Sequence, residues 1–279
     1  MKQLFFGEIG MENFSFKSTK KSCLIAIALF GFISTSAHAE QAAFTFSDDW
    51  TFDLSVYAFL PGSLSGSSTI AGQKVPLDLD LSDALDLLNF AFAGRFEAWN
   101  GDLGFIADLN YLALEINAQP APPITADVDV EQAWLGLLGG YRVASGTNGR
   151  GNAYSIDLQG GARYNSLKQT VAITGGPGAG TTLGGTETWW EPVIGARALW
   201  QINDRWNGFA AADAGGFGAG ENDLAWSATL GLGYEVGKHG ALKFGLRYYS
   251  IDYSTVRSDG VFAYKVQQIG PFVGYTYTF

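Results

Sequence analysis

From Trp50 to Phe279 the chain is built almost entirely of segments in which apolar and polar residues alternate. Tyr154, Ile156, Leu158, Gly160, Ala162 and Tyr164 share one face of such a segment. Ser155, Asp157, Gln159, Gly161, Arg163 and Asn165 share the other. Trp226, Ala228, Leu230, Leu232, Tyr234 and Val236 alternate in the same way with Ser227, Thr229, Gly231, Gly233 and Glu235. A period of two points successive side chains to opposite sides of a strand, so each strand meets two different surroundings. The pattern predicts ten strands, near 50–60, 89–99, 102–116, 128–143, 153–171, 187–202, 205–215, 224–236, 241–253 and 262–279. An antiparallel β-barrel of about ten strands follows, with eight or twelve as alternatives, in one unit spanning 40–279.

The connections differ by side. Asn100-Gly101, Asn203-Asp204 and Gly237-Lys238-His239-Gly240 read as tight turns, and Asn-Gly is a strong hairpin signal. Residues 144–152 are intermediate. Residues 61–88, 117–127, 172–186, 216–223 and 254–261 read as longer loops rich in Gly, Pro, Ser and Thr. Short turns on one side and long loops on the other is the pattern of outer-membrane barrels, with the short side in the periplasm.

A soluble barrel also alternates, but it buries its apolar face. Here that face carries aromatic residues at both strand ends. Trp50, Tyr141, Tyr154, Trp200, Trp206, Tyr234, Tyr275, Tyr277 and Phe279 fall at the short-turn ends. Tyr111, Tyr164, Trp190, Trp226 and Tyr248 fall at the long-loop ends. Tyr154 to Tyr164 and Trp190 to Trp200 each span ten residues. At ~3.3 Å per residue and a tilt of about 40°, that is roughly 25 Å along the membrane normal, the height of a barrel's apolar band. Two aromatic girdles at that spacing suit a bilayer and have no use in a soluble core.

The start of the chain agrees with export. Lys17, Lys20 and Lys21 precede an apolar run from Cys23 to Ile33, and Ala37-His38-Ala39 matches a small-x-small cleavage pattern. The run is too short for a membrane-spanning helix, so residues 1–39 read as a signal peptide, with Met11 an alternative start. Cleavage removes the chain's one cysteine, Cys23, together with four lysines and two glutamates. Of 17 basic and 27 acidic residues, 13 and 25 remain. That acidic balance argues against a nucleic-acid partner.

The alternating strands, the signal peptide and the Tyr275-x-Tyr277-x-Phe279 end together resemble bacterial outer-membrane β-barrel proteins. The resemblance implies that Tyr275, Tyr277 and Phe279 form the signal read by the barrel-assembly machinery. It also implies contact with outer-membrane lipid and lipopolysaccharide. Trp50 to Leu60, the Leu77-Asp78-Leu79-Asp80-Leu81-Ser82-Asp83 segment and Asp108-x-x-Tyr111-Leu112 further resemble a proteobacterial family of such barrels, which implies no particular activity.

Barrels of this class that are enzymes resemble phospholipases, palmitoyl transferases, lipid A deacylases or omptin-type proteases, each with a histidine near the membrane edge or outer rim. The mature chain keeps one histidine, His239, in a turn on the periplasmic side. Acyl transfer on serine therefore lacks its usual base, and no catalytic role, metal or cofactor is expected. The polar face is more informative. Asp53, Glu97, Asp108, Asp157, Glu191, Asp213 and Glu235 are expected inside, with Arg95, Arg163, Arg197, Lys243 and Arg247. Unpaired charges in a narrow lumen are costly, so mixed signs predict a paired network. Arg95, Arg163, Arg197 and Arg247 are expected to pair with Glu97, Asp108, Asp157 and Glu235. Trp99, Trp134, Phe209 and Tyr249 on the same face add bulk, and small barrels are commonly filled by their own side chains.

Residues 61–88 form the longest insertion. A short strand is expected from Lys74 to Leu81, after a turn at Ala71-Gly72. Ser82-Asp83 then suits a helix N-cap. The insertion reads either as a plug in the barrel mouth or as a hairpin standing above the membrane. Asp78, Asp80, Asp83 and Asp86 are placed there without the glycine and glutamate of an EF-hand. The glycines of 172–186 lack the Gly-Lys-Ser/Thr of a phosphate loop. The reading at this stage is a structural or interaction barrel with a charge-paired, largely closed lumen. A small porin-like channel or carrier is the alternative, and a lipid-acting enzyme comes third.

Overall fold

The computed structural model describes residues 49–121, 124–176 and 178–279, so the signal-peptide segment lies outside the described residues. The elements in chain order are β1 Thr51–Phe59, β2 Ser63–Ile70, β3 Gln73–Asp80, α1 Leu81–Leu87, β4 Leu88–Asn100, β5 Leu103–Ala121, β6 Ile124–Thr147, β7 Ala153–Thr174, β8 Thr181–Gln201, β9 Trp206–Gly216, β10 Asn222–Val236, β11 Gly240–Arg257 and β12 Gly260–Thr278. Neighbouring strands pair antiparallel. β1 and β4 to β12 form a ten-strand ring, closed where β1 meets β12 from Asp53↔Thr278 to Phe59↔Phe272. Closure leaves no open edge in this part of the wall.

The period-two pattern sets which face meets which surroundings. Outward-facing Leu103, Ile194, Leu230 and Leu246 are 57–65% exposed, whereas inward-facing Asp157 and Glu191 are 0% and 2% exposed. An apolar outside around a polar inside is the reverse of a soluble barrel and satisfies a bilayer. The aromatic girdles form cross-strand pairs. Tyr164 and Trp190 lie 5.3 Å apart, Trp226 and Tyr248 4.5 Å, and Trp206 and Tyr234 5.0 Å.

Leu230 sits midway between Trp226 and Tyr234 on β10, at the middle of the band. Leu230→Arg is expected to lower stability by roughly 2–4 kcal/mol. Thr170→Arg, on the outer wall of β7 beyond Tyr164, should stay within about 0.5 kcal/mol. Urea unfolding of the refolded protein in detergent measures both. Equal losses would mean that the apolar band is misplaced.

The outward connections differ from the sequence reading. A spanning strand needs about 9–11 residues, but β6, β7 and β8 have 24, 22 and 21. The segments expected as loops at 117–127, 172–186 and 254–261 are mostly strand. β5 runs to Ala121 and β6 starts at Ile124, β7 ends at Thr174 and β8 starts at Thr181, and β11 ends at Arg257 and β12 starts at Gly260. Ladder pairing satisfies backbone groups that a loop would leave to water. The 217–221 connection remains a loop with a 3-10 turn at Ala219–Glu221.

The 61–88 insertion is part of this raised wall. β2 continues the track of β1 along β12, pairing from Ser63↔Ile269 to Thr69↔Ala263. β3 folds back on β2 through a two-residue turn in which Ala71 and Gly72 both have positive φ, 52° and 79°. α1 then leads into β4. Its N-cap is Asp80, which corrects the expected Ser82-Asp83 position. Asp80 accepts the Asp83 N–H at 3.0 Å and the Ser82 hydroxyl at 2.8 Å. The Asp83 N–H, with help from Ser82, holds the Asp80 carboxyl below the usual carboxylate range. Asp80 is thus committed to the cap, and among the described residues no group of three or more His, Cys, Asp or Glu side chains could hold a metal ion.

At and above the outer girdle, non-neighbouring strands of the ring touch across the interior. Trp189 of β8 stacks on Tyr253 of β11 at 4.0 Å, and Trp134 of β6 stacks on Tyr249 of β11 at 5.2 Å. Ser68 of β2 hydrogen-bonds Gln169 of β7 across the interior. Leu64, Leu79, Leu87, Leu88, Leu114, Val130, Leu167, Ile251, Phe262, Tyr264 and Val266 complete a continuous apolar core. The outer half of the molecule is therefore packed like a soluble β-sandwich, while its membrane half encloses charge.

Candidate functional site

The site is the lumen within the membrane band. Each charged side chain there comes from the inward register of its strand. Glu97 of β4 is the hub of the larger network. It accepts Arg95 Nε at 2.7 Å and Arg197 Nη1 at 2.7 and 2.8 Å, and its Oε2 accepts Trp99 Nε1 at 2.8 Å. Arg95 also reaches Asp108 at 3.0 Å. Arg197 reaches Asp157 at 2.8 Å, and Arg142 reaches the other oxygen of Asp157 at 3.0 Å. The Trp99 ring lies against the wall where a Cβ on Gly104 or Gly140 would come within 2.6–2.7 Å of it. Arg142 and Arg197 sit over that ring at 4.7 and 5.5 Å. Bare glycine backbone lets the indole lie flat, and the indole in turn carries two guanidinium groups.

A second network belongs to β7, β8 and β9. Arg163 hydrogen-bonds Asp213, and its Nε lies 3.6 Å from Glu191 Oε1. Ser227 donates to Asp213. Asn222 and Trp189 Nε1 donate to Glu191, the latter at 3.0 Å. Glu191 thus joins the charged lumen to the apolar core above it.

The expected pairings need correction at Arg163, Arg247 and Glu235: Arg163 pairs with Asp213 and Glu191, neither among the carboxylates expected for the arginines. Arg247 makes no ion pair among the described residues and lies 5.5 Å over Trp134. Glu235 accepts from Asn207 at 2.7 Å instead of from an arginine. Lys243 lies 5.9 Å over Phe209 with no carboxylate in ion-pair reach. The reason is register. Lys243 is flanked across the ladder by Gly233 and Gly274, and Arg247 by Thr229 and Gly270. Asp53, at the periplasmic end, accepts the Thr278 hydroxyl at 2.5 Å.

Arg142, Tyr57 and Asn110 belong to the site and were missed. Asn110 donates to Asp108 at 2.8 Å and to Tyr57 at 3.0 Å. Tyr57 and Asn110 stand on the inward face by simple alternation with Asp53 and Asp108, so the signal was present. Arg142 likewise falls on the inward face by alternation with Trp134, Gly136, Leu138 and Gly140, ahead of the register shift between Arg142 and Ala144.

At the end of β12, Tyr275 and Tyr277 face outward. Phe279 donates its N–H to Phe52 O at 2.9 Å, which fastens the terminal residue to β1. His239 lies in the adjoining turn, with Nδ1 3.0 Å from Thr278 O. Between the two networks lies an internal cavity of about 180 Å³.

A closed antiparallel ring with an apolar exterior, two aromatic girdles and a charged interior defines a transmembrane β-barrel. The chain has the fold of an outer-membrane β-barrel protein. No protein-family model matches it, and no curated protein matches it. It is similar to the translocator domain of the autotransporter NalP from Neisseria meningitidis, at 15% identity over 82% of this chain and 88% of that one, with a TM-score of 0.40. It is also similar to Ail, the attachment invasion locus protein of Yersinia pestis, at 11% identity over 83% and 99%, with a TM-score of 0.32. The P. putida toluene transporter TodX matches at 12% identity over 83% and 90%, with a TM-score of 0.25. These likenesses concern the fold alone.

Proposed function

We propose that this protein is a structural or interaction barrel whose lumen is closed to through-flow. The observation that carries the reading is the packing across the mouth, where Trp134 of β6 stacks at 5.2 Å on Tyr249 of β11, five places away in the ten-strand ring, and the apolar core continues above it. Beneath it, arginines bridge inward carboxylates from one strand to the next. Continuous water would have to displace both layers. The raised walls of β5 to β8 and the β2–β3 hairpin stand above the membrane and offer the surface for contact with lipopolysaccharide or another cell-surface partner. Tyr275, Tyr277 and Phe279 serve assembly by the barrel-assembly machinery. A catalytic role is not proposed: His239, the one histidine among the described residues, lies in a short turn against the Thr278 carbonyl.

Planar-bilayer recording of the refolded protein tests this reading. No stable single-channel conductance is expected in 1 M KCl. A steady conductance in most insertions would overturn the closed reading in favour of the small channel.

A further inference from the structure

The mid-lumen cavity is electrostatically unbalanced. Five cationic side chains line it, against the three carboxylates Glu97, Asp108 and Asp213. Those carboxylates are already engaged by Arg95, Arg163 and Arg197. The two remaining cations, Lys243 and Arg247, have no carboxylate within ion-pair distance among the described residues. Their directly opposed cross-strand neighbours are glycines and a threonine, and the carboxylates that act on them, Asp108 and Asp213 on Arg247 and Glu97 and Asp53 on Lys243, do so from beyond ion-pair distance. The Arg247 Nε is buried without a hydrogen-bond partner. A guanidinium left with a free donor in a cavity calls for an acceptor from elsewhere, since leaving a buried donor unmet is costly, more so for a charged group.

The remaining wall narrows the choice of acceptor. Trp134 lies under the Arg247 guanidinium, and Phe209 and Phe272 are 5.9 Å apart on the facing side of the same cavity. An apolar cavity of about 150 Å³ holds a benzene ring, and this one measures about 180 Å³. We infer that the cavity is a binding site for a small organic carboxylate with a compact apolar body. The carboxylate accepts from Arg247, whose planar fork matches its two oxygens. The body lies among the aromatic rings. Lys243 is four residues along the same strand face, about 13 Å away between backbone positions at the usual strand rise. It stands nearer the periplasmic end and attracts the incoming anion. With the outer half filled by the apolar core, entry is from the periplasm. Only that direction of entry rests on the closed-lumen reading. Binding itself is measured at equilibrium without a current, so failure of one leaves the other standing.

Equilibrium dialysis of the refolded full chain in detergent, with labelled benzoate as probe, is the test. Saturable binding of one benzoate per chain is expected, with benzylamine excluded and sulfate competing at least tenfold less well. Arg247→Gln should weaken benzoate at least tenfold, and Lys243→Gln by a smaller factor. If Arg247→Gln does not insert, Lys243→Gln and Trp134→Leu decide, since each should still weaken binding. Absence of saturable benzoate binding overturns the inference. So do equal uptake of benzylamine, equal competition by sulfate, or unchanged affinity in the folded variants.

Discussion

Arg163→Ala is expected to lower the stability of the barrel by about 3–5 kcal/mol, the range for stranding a buried partner of an ion pair. Arg163 is the cation for two carboxylates. The Glu191 side chain is 0% exposed and that of Asp213 is 27% exposed. Glu191 Oε1 has no hydrogen bond, and the Arg163 charge at 3.6 Å is what offsets it. Removing the guanidinium leaves that oxygen buried against the apolar core. The contrast is Arg197→Ala. Its partners keep other cations, because Glu97 retains Arg95 and Asp157 retains Arg142. The loss there should be smaller although Arg197 makes more hydrogen bonds. Urea titration of the folded, faster-migrating form in detergent reads both variants. A loss of only about 0–1 kcal/mol for Arg163→Ala would place the pair in a watery lumen, as for surface ion pairs. That outcome would count against the closed reading.

The membrane half of the fold was legible because one physical rule governs it. Lipid on one side and a polar interior on the other force a strict period of two, and the girdles mark where the rule begins and ends. The ten ring strands and the inward register of the charged residues follow from alternation, and the turn at Asn100-Gly101 from its Asn-Gly pair. Above the outer girdle the rule lapses. Leu167, Val130, Leu114 and Ile251 are inward and apolar, while the outward face carries Asp127, Asp129, Lys168 and Thr170. The alternation persists there with its sense reversed. The glycine and threonine content of 172–186 obscures it, so that segment reads as loop in the sequence.

The pairing of charges was less legible than their placement. Alternation says that Arg247 faces in, but its neighbours depend on register and on strands far away in sequence. A shift of one residue would change every cross-strand partner. Arg163 pairs across β8 to Asp213 on β9, and Arg197 reaches Glu97 on β4, a hundred residues earlier. Such contacts follow from the curvature of a closed ring, which spacing along one strand does not encode. The lumen glycines beside Lys243 and Arg247 belong to the same category. Their meaning appears only once β10, β11 and β12 are laid side by side.

Replacing residues 63–87 with an Asn-Gly turn is expected to turn a silent barrel into a conducting one. The register makes the graft feasible. β1 and β4 pair from Thr51↔Trp99 to Tyr57↔Ala93. Extending that register brings Gly62 opposite Leu88, where a two-residue type I′ turn can join them. The ten-strand ring and the β1–β12 closure stay intact, so insertion and heat-modifiable migration should persist. What leaves is the inner face of the hairpin and α1, including Leu64, Leu79 and Leu87, together with the Ser68–Gln169 bond across the mouth. The apolar core then opens on one side to water. The remaining stacks, Trp189 on Tyr253 and Trp134 on Tyr249, can no longer be shielded on that side. Planar-bilayer currents should appear in the deletion variant and grow when Trp189→Ala is added, since that stack is the next barrier. If the deletion variant folds and remains silent while the double variant conducts, the Trp189–Tyr253 stack closes the mouth and the hairpin does not. If both fold and neither conducts, the block lies in the arginine–carboxylate layer beneath, and the apolar core has no part in closure.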